Sequence, residues 1–193
     1  MNTTMDYYNT NAYEYSALTM NSDMSQSRQR FLSYLPNRAR ILDAGCGSGR
    51  DAKAFMVQGY MVTALDGSVA MCQVAEKFIG QPVLHMSFGE IEFKEEFDGI
   101  WACASLLHVP KADMERILNK LRQALVPDGV IYASFKYGEG ERTVDGRFFN
   151  YYDDNSLSVQ FESCGFHVIE TFVTEDVRDG RNGEIWVNII GRK

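Results

Sequence analysis

Short apolar runs alternate with helix-patterned segments along most of this chain, and that alternation confines it to one class of fold. Runs of strand length occupy 39–44, 60–65, 82–86, 97–103, 129–135, 166–174 and 184–190. Segments of helical period lie between the first five. Met114, Ile117, Leu118, Leu121 and Leu125 share one face, with Glu115, Arg116, Lys120 and Arg122 on the other. Ala70, Met71, Val74, Ala75, Phe78 and Ile79 form a second stripe, and 51–57 a shorter third. Strand–helix–strand alternation with short connections predicts an α/β fold, a parallel sheet with right-handed crossovers. The early strands are apolar at nearly every position, as strands covered by helices on both faces must be. The last two runs differ. About ten residues join them, too few for a helical crossover, so they predict an antiparallel hairpin. Its turn signals are Asp179-Gly180 and Asn182-Gly183. Ahead of the first strand, 6–18 and 22–34 read as two helices, the second capped by Asn21 or Ser22 and ending before Pro36.

Composition narrows the class. The chain has 193 residues, 45% of them hydrophobic and 23% charged, which suits one soluble domain with a real core. No apolar run is long enough to cross a membrane. The first residues, MNTTMDYYNTNAYEY, lack the basic and apolar regions of a signal peptide, so the cytosol is the expected location. With 19 Lys and Arg against 26 Asp and Glu, the net charge of −7 argues against nucleic acid as a partner. The cysteines Cys46, Cys72, Cys103 and Cys164 stand apart, with no C-x-x-C pair, and are expected to be reduced. No His/carboxylate cluster suggests a metal site.

The chemistry concentrates in Ile41-Leu42-Asp43-Ala44-Gly45-Cys46-Gly47-Ser48-Gly49-Arg50-Asp51. An apolar strand runs into three alternate glycines and then a helix. Glycine allows a sharp turn and close approach of a ligand to the backbone. The helix start offers free N–H groups to an anion. The G-x-G-x-G spacing, with an acid two residues ahead, differs from the G-x-G-x-x-G of dinucleotide folds. Asp66 ends the next run, 21 residues after Gly45, where an acid can accept both ribose hydroxyls of an adenosine cofactor. The alternative is an N-cap for the following helix. His108 follows the fourth run, at the rim where open α/β sheets bind ligands. It stands as a candidate general base, beside the simpler use of packing under a ligand or capping the next helix. His85, His167 and Trp186 read as structural. The segment 135–152 mixes charged and aromatic residues, including Lys136, Tyr137, Arg142 and Arg147. It reads either as a loop closing over a small substrate or as solvated surface.

These motifs resemble the class I S-adenosylmethionine-dependent methyltransferases. The pieces that match are LDAGCGSGRD, ALDGS, FDGIWACASLLHV and LVPDGVIYASF, in family order. The start, Tyr8-Asn9-Thr10-Asn11-Ala12-Tyr13-Glu14-Tyr15, resembles the lid helix of small bacterial members of the ubiquinone/menaquinone and tellurite-resistance-related type. The resemblance implies a Rossmann-like doubly wound sheet of seven strands in the order 3-2-1-4-5-7-6, mostly parallel, with an antiparallel last strand. It implies one domain over 1–193: a helical lid at 1–38, a cofactor core at 39–136 and a substrate side at 137–193. S-adenosylmethionine would be the cofactor and S-adenosylhomocysteine the product. Asp43 with Gly45, Cys46, Gly47 and Gly49 would hold the methionine end. Asp66 would hold the ribose, beside Gly67 and Ser68. Met86, Ser87 and Phe88 would border adenine, where many relatives place an acid at the Ser87 position. Cys103 and Ala104 would face the cofactor from the fourth strand, and Tyr15 from the lid. Tyr8, Asn11, His108, Lys136, Tyr137, Arg142 and Arg147 would meet a small-molecule acceptor. Two rival functions stay open at this point, a nicotinamide- or flavin-dependent oxidoreductase and a non-catalytic cofactor sensor.

Overall fold

A computed structural model describes residues 3–178, 180–181 and 183–193. Nine strands form the sheet: β1 (Arg40–Ala44), β2 (Met61–Asp66), β3 (Leu84–His85), β4 (Phe97–Ala102), β5 (Leu125–Tyr137), β6 (Glu141–Val144), β7 (Arg147–Tyr152), β8 (His167–Glu175) and β9 (Ile185–Arg192). The helices are α1 (Thr3–Thr19), α2 (Ser25–Leu32), α3 (Arg50–Val57), α4 (Val69–Ile79), α5 (Lys111–Ala124) and α6 (Asp154–Ser163).

The seven apolar runs take the expected order. β3, β2, β1, β4 and β5 lie side by side in parallel. β9 then pairs antiparallel with β5, and β8 antiparallel with β9. Of the expected turn signals, Gly180 and Gly183 are described, whereas Asp179 and Asn182 lie outside the described residues. Alternation along the strands divides the core between the two faces. Ile41, Trp101, Val130, Tyr132 and Ile190 pack with Phe31 of α2 and Phe55 of α3. Leu42, Ala44, Ile100, Ala102, Ile131 and Ala133 pack with α5 and with Leu157 and Phe161 of α6. Each large apolar side chain buried this way contributes about 1.5–3 kcal/mol.

Several elements differ from expectation. The segment 135–152 is neither a closing loop nor plain surface. β5 runs on to Tyr137, and β6 and β7 form a hairpin. Lys136 pairs with Trp186 of β9 and also with Tyr151 of β7. A strand has only two edges, so β7 takes the edge that β4 occupies further back. The hairpin therefore extends the sheet beyond the end of β4. Helix α6, which the apolar pattern does not announce, is started by Asp153, whose carboxylate accepts from the Ser156 N–H at 2.7 Å. Helix α2 is shorter than expected and begins at Ser25, without a cap from Asn21 or Ser22. Asp23 instead accepts the Ser25 N–H. Helix α1 is kinked at Asn11, whose backbone (φ −112°, ψ 17°) is not helical.

Candidate cofactor and acceptor site

The site is built where β1, β2 and β4 end. The Gly45 and Cys46 N–H groups both donate to the Leu65 carbonyl, which ties the loop after β1 to β2. Gly47 has φ +55°, a conformation that favours glycine, and a Cβ there would stand 3.7 Å from its nearest neighbour, the Met71 side chain. Its N–H donates to Asp66 Oδ2 at 2.9 Å, and the Ser68 N–H donates to Asp66 Oδ1 at 2.8 Å. Both carboxylate oxygens are thereby oriented, and each keeps acceptor capacity. Asp66 is not the cap of α4. Ser68 is, accepting from the Met71 N–H at 3.2 Å.

Asp43 is 2% exposed and accepts a bond from the Ala52 backbone, while its Oδ2 has no partner among the described residues. Burial, and next the charge of Asp51, push its pKa well above the usual carboxylate range. Asp51 sits in a different setting. Burial alone would raise it, yet Arg50 and Arg28 hold it below its ordinary value. Arg28 reaches Asp51 Oδ1 and Arg50 reaches Oδ2, both at 2.6 Å. The Trp101 indole N–H adds a third donor at 3.0 Å.

Asp43, Gly47, Arg50, Asp51 and Asp66 line one cavity of about 670 Å³. Of the residues expected at a cofactor, Tyr15, Asp43, Gly45, Cys46, Gly47, Asp66, Gly67, Met86, Ser87, Phe88, Cys103 and Ala104 line it. Gly49 and Ser68 do not. A Cβ on Gly49 would stand 2.7 Å from Ile79, so this glycine serves the packing of α3 on α4. Ser68 is spent on its cap and on Asn9 Oδ1 of α1, at 2.7 Å. Ser87 donates its hydroxyl to Glu90 Oε2 at 2.7 Å. Its oxygen is left as an acceptor polarised by a carboxylate behind it.

A second, smaller chamber of about 30 Å³ adjoins the first, with Tyr8, Tyr15 and His108 lining both. His108 Nδ1 lies 2.6 Å from the Phe148 carbonyl, which can only accept, so Nδ1 carries the proton. Nε2 is then the acceptor for the Tyr8 hydroxyl at 2.9 Å. Burial, aided by the charge of Arg147, pushes the imidazole down to about 4, against the pull of the Phe148 carbonyl. Burial, and next Tyr15, hold the Tyr8 hydroxyl well above its ordinary pKa. The Tyr8 and Tyr15 rings meet edge to face at 5.1 Å, as a spacing of two helical turns predicts. Lys136 and Arg147 also line the small chamber. Asn11, Tyr137 and Arg142 line neither. Asn11 donates to the Tyr7 carbonyl at the kink. Tyr137 is 42% exposed at the end of β5. Arg142 stacks on Tyr151 from β6, a strand exposed at all four residues.

Sequence reasoning missed several lining residues: Arg50, Asp51, Ser105, Ser134, Asn188 and the stretch 173–178. Trp186, expected only to pack, lines both chambers and donates its indole N–H to Asp176. For Arg50 the signal was its place directly after the third glycine. Asp51 follows it on α3 and Ser105 follows β4, whereas Ser134, Asn188 and 173–178 are brought in by β5, β9 and β8, which only the sheet order places here.

The site suits an adenosyl amino acid. It offers an orphaned buried carboxylate oxygen on Asp43, an oriented acid on Asp66 and an open glycine turn at Gly47 between them. Comparisons with known proteins agree. The family described as "Methyltransferase domain" matches residues 42–133. The ubiquinone biosynthesis O-methyltransferase of Pasteurella multocida (strain Pm70) is 33% identical over 125 residues, 53% of this chain and 51% of that protein. The putative methyltransferase YqeM of Bacillus subtilis (strain 168) is 27% identical over 136 residues, 65% of this chain and 55% of that one. The chain thus spans about half the length of the curated relatives it matches. Among solved structures, the 1,6-didemethyltoxoflavin-N1-methyltransferase of Burkholderia thailandensis, with bound 1,6-didemethyltoxoflavin and S-adenosylhomocysteine, superposes with a TM-score of 0.84. It covers 99% of this chain and 87% of its own at 20% identity, a likeness of fold. The methyltransferase-domain match thus runs from β1 into β5, and the remaining strands complete a sheet of the same fold as the 1,6-didemethyltoxoflavin-N1-methyltransferase.

Proposed function

We propose that this chain transfers a methyl group from S-adenosylmethionine to a small-molecule acceptor. The observation that carries this is the two-chamber cavity, with the acids Asp43 and Asp66 in the larger part and the Tyr8–His108 pair where the smaller part adjoins it. S-adenosylmethionine bound there supplies a sulfonium methyl group for in-line displacement by the acceptor's nucleophile. Asp43, with an unpartnered oxygen, takes the amino group of the methionine end. Asp66 takes the ribose hydroxyls. The Ser87 oxygen, backed by Glu90, takes the place of the acid that relatives set beside adenine. Tyr15 and Trp186 enclose the space beside these groups and exclude water.

His108 is neutral and already holds the Tyr8 proton in a hydrogen bond. Its role is to position Tyr8, whose hydroxyl and ring shape the acceptor side. Orientation then supplies much of the acceleration, since well-placed reactants gain about 7–11 kcal/mol. Side chains alone enclosing the acceptor suits a small molecule better than a polymer, and the acidic chain adds to that.

Thermal shift separates this proposal from the oxidoreductase. A ligand at 100 times its Kd stabilises by about 2.7 kcal/mol. S-adenosylhomocysteine should raise the melting temperature and NADH should not; the reverse overturns the proposal. Formation of S-adenosylhomocysteine with any member of a broad acceptor panel establishes catalysis. Tight cofactor binding with no turnover on the whole panel favours a sensor.

A further inference from the structure

The small chamber behind Tyr8 has an electrostatic character opposite to that of the chain. Four cations line it, Lys136, Arg147, Arg178 and Arg181, and no Asp or Glu does among the described residues. The described carboxylates that pair with them are two. Glu184 takes Lys136 and Arg181, each at 2.6 Å, and Asp176 takes Arg178. A surplus of positive charge therefore faces inward in a protein of net charge −7.

Arg147 is the member of this set that no described carboxylate pairs with. Its side chain forms no ion pair with any described residue, the Tyr8 hydroxyl is a polar neighbour, and its Nε is buried without a partner among the described residues. Its guanidinium stacks 4.3 Å from the Tyr7 ring centroid and 5.3 Å from that of Phe149. Stacking occupies the faces of the guanidinium plane and leaves its N–H edge for an in-plane acceptor. Buried N–H donors left unmatched are costly, and the planar fork fits a carboxylate with two parallel bonds. The size of the chamber agrees. A water-sized group needs about 10–15 Å³ of such space, so about 30 Å³ holds two, the two oxygens of one carboxylate. The chamber opens beside Tyr8, Ala104 and Trp186, which also line the large cavity, so a molecule in the acceptor space can extend an acidic group into it.

We infer that the methyl acceptor is a small organic acid whose carboxylate binds against Arg147 in this chamber. The inference rests on the methyl-transfer proposal for the site it serves. Arg147 then determines which acceptors bind, and it does so through charge and planar geometry.

The test uses the full chain loaded with S-adenosylhomocysteine, at ionic strength held constant with chloride. Melting temperature is followed with acetate and benzoate and with their neutral counterparts acetamide and benzamide. The carboxylates should raise it by several degrees and the amides should not. Arg147→Gln should abolish the carboxylate shift and keep the S-adenosylhomocysteine shift. Arg147→Lys, which keeps the charge without the fork, should retain part of it and serves if the glutamine variant does not fold. Equal shifts from acids and amides, no shift from the acids, or an undiminished acid shift in the glutamine variant would each overturn the inference. Loss of the S-adenosylhomocysteine shift in the unmodified chain counts against the methyl-transfer proposal alone.

Discussion

His108 accepts the Tyr8 hydroxyl at Nε2 because its own proton is committed to the Phe148 carbonyl at Nδ1. The pair joins α1 to the far side of the rim, one hundred residues away in the chain. Its chemistry depends on the imidazole staying neutral. Burial first, with Arg147 adding to it, sets that group at about 4, below the ordinary 6.5. The unfolded chain thus binds the proton more readily than the folded one. Stability is complete above pH 6.5 and is lost as pH falls towards 4, on the order of 2 kcal/mol between pH 7 and pH 5. Urea midpoints at the two pH values should show this slope, and His108→Gln should flatten it. An identical slope in the variant would separate His108 from the acid sensitivity.

Asp66→Ala removes more than the acid proposed for the ribose. The Gly47 and Ser68 N–H groups lose their acceptor as well. Losing a charged acceptor costs about 1.5–3 kcal/mol, roughly ten- to a hundredfold in affinity. Calorimetry with S-adenosylhomocysteine should show that weakening, together with a lower melting temperature. An unchanged Kd in a folded variant removes Asp66 from the cofactor site.

Asp51→Asn should be among the most destabilising single changes at this rim. It takes the charge from two guanidinium groups, on Arg28 and Arg50, that meet a carboxylate only 6% exposed. Breaking a buried pair on one side costs about 3–5 kcal/mol. A loss below about 1 kcal/mol in urea unfolding would show that water replaces the carboxylate.

Removal of residues 1–20 tests α1. Asn9 accepts from Ser68, and Thr4 Oγ1 accepts from the Phe148 N–H at 2.9 Å. Its buried residues are small ones, Thr4, Ala12, Ser16 and Thr19, so the sheet core loses little apolar packing with it. The truncated chain should fold, bind S-adenosylhomocysteine more weakly and lose most turnover. Amide exchange in the whole protein should show α1 protected by that ligand. Outright unfolding, or full activity, would rule out a lid.

The chain's sequence shows its central architecture because strands covered on both faces leave unbroken apolar runs, and because the Gly47 turn and Asp66 mark where those runs end. Elements without such runs were hidden. β6 is exposed at every residue, so it has no alternation to detect, and the Asp145-Gly146 turn was its only signal. α6 buries only Leu157 and Phe161. Asn11, three residues after Tyr8 and four before Tyr15, shares their helical face by spacing, but at the kink it donates to the Tyr7 carbonyl. Trp186 and Asn188 reach the cavity only through the pairing of β9 with β5, which no local pattern encodes.

The β6–β7 hairpin joins the sheet at two pairs, Lys136 with Tyr151 and Tyr137 with Tyr152. Its tip turns through Asp145 and Gly146, both left-handed, with φ of 50° and 76°. Arg147 stands next to that tip, and the Phe148 carbonyl that orients His108 is one residue further on. This makes the hairpin an exchangeable part. Lengthening it or resetting its turn would change what lies around the small chamber while β1, β2 and the glycine turn stay as they are. Under the proposed function, acceptor choice can therefore diverge through the sixteen residues between β5 and α6, without disturbing Asp43 and Asp66.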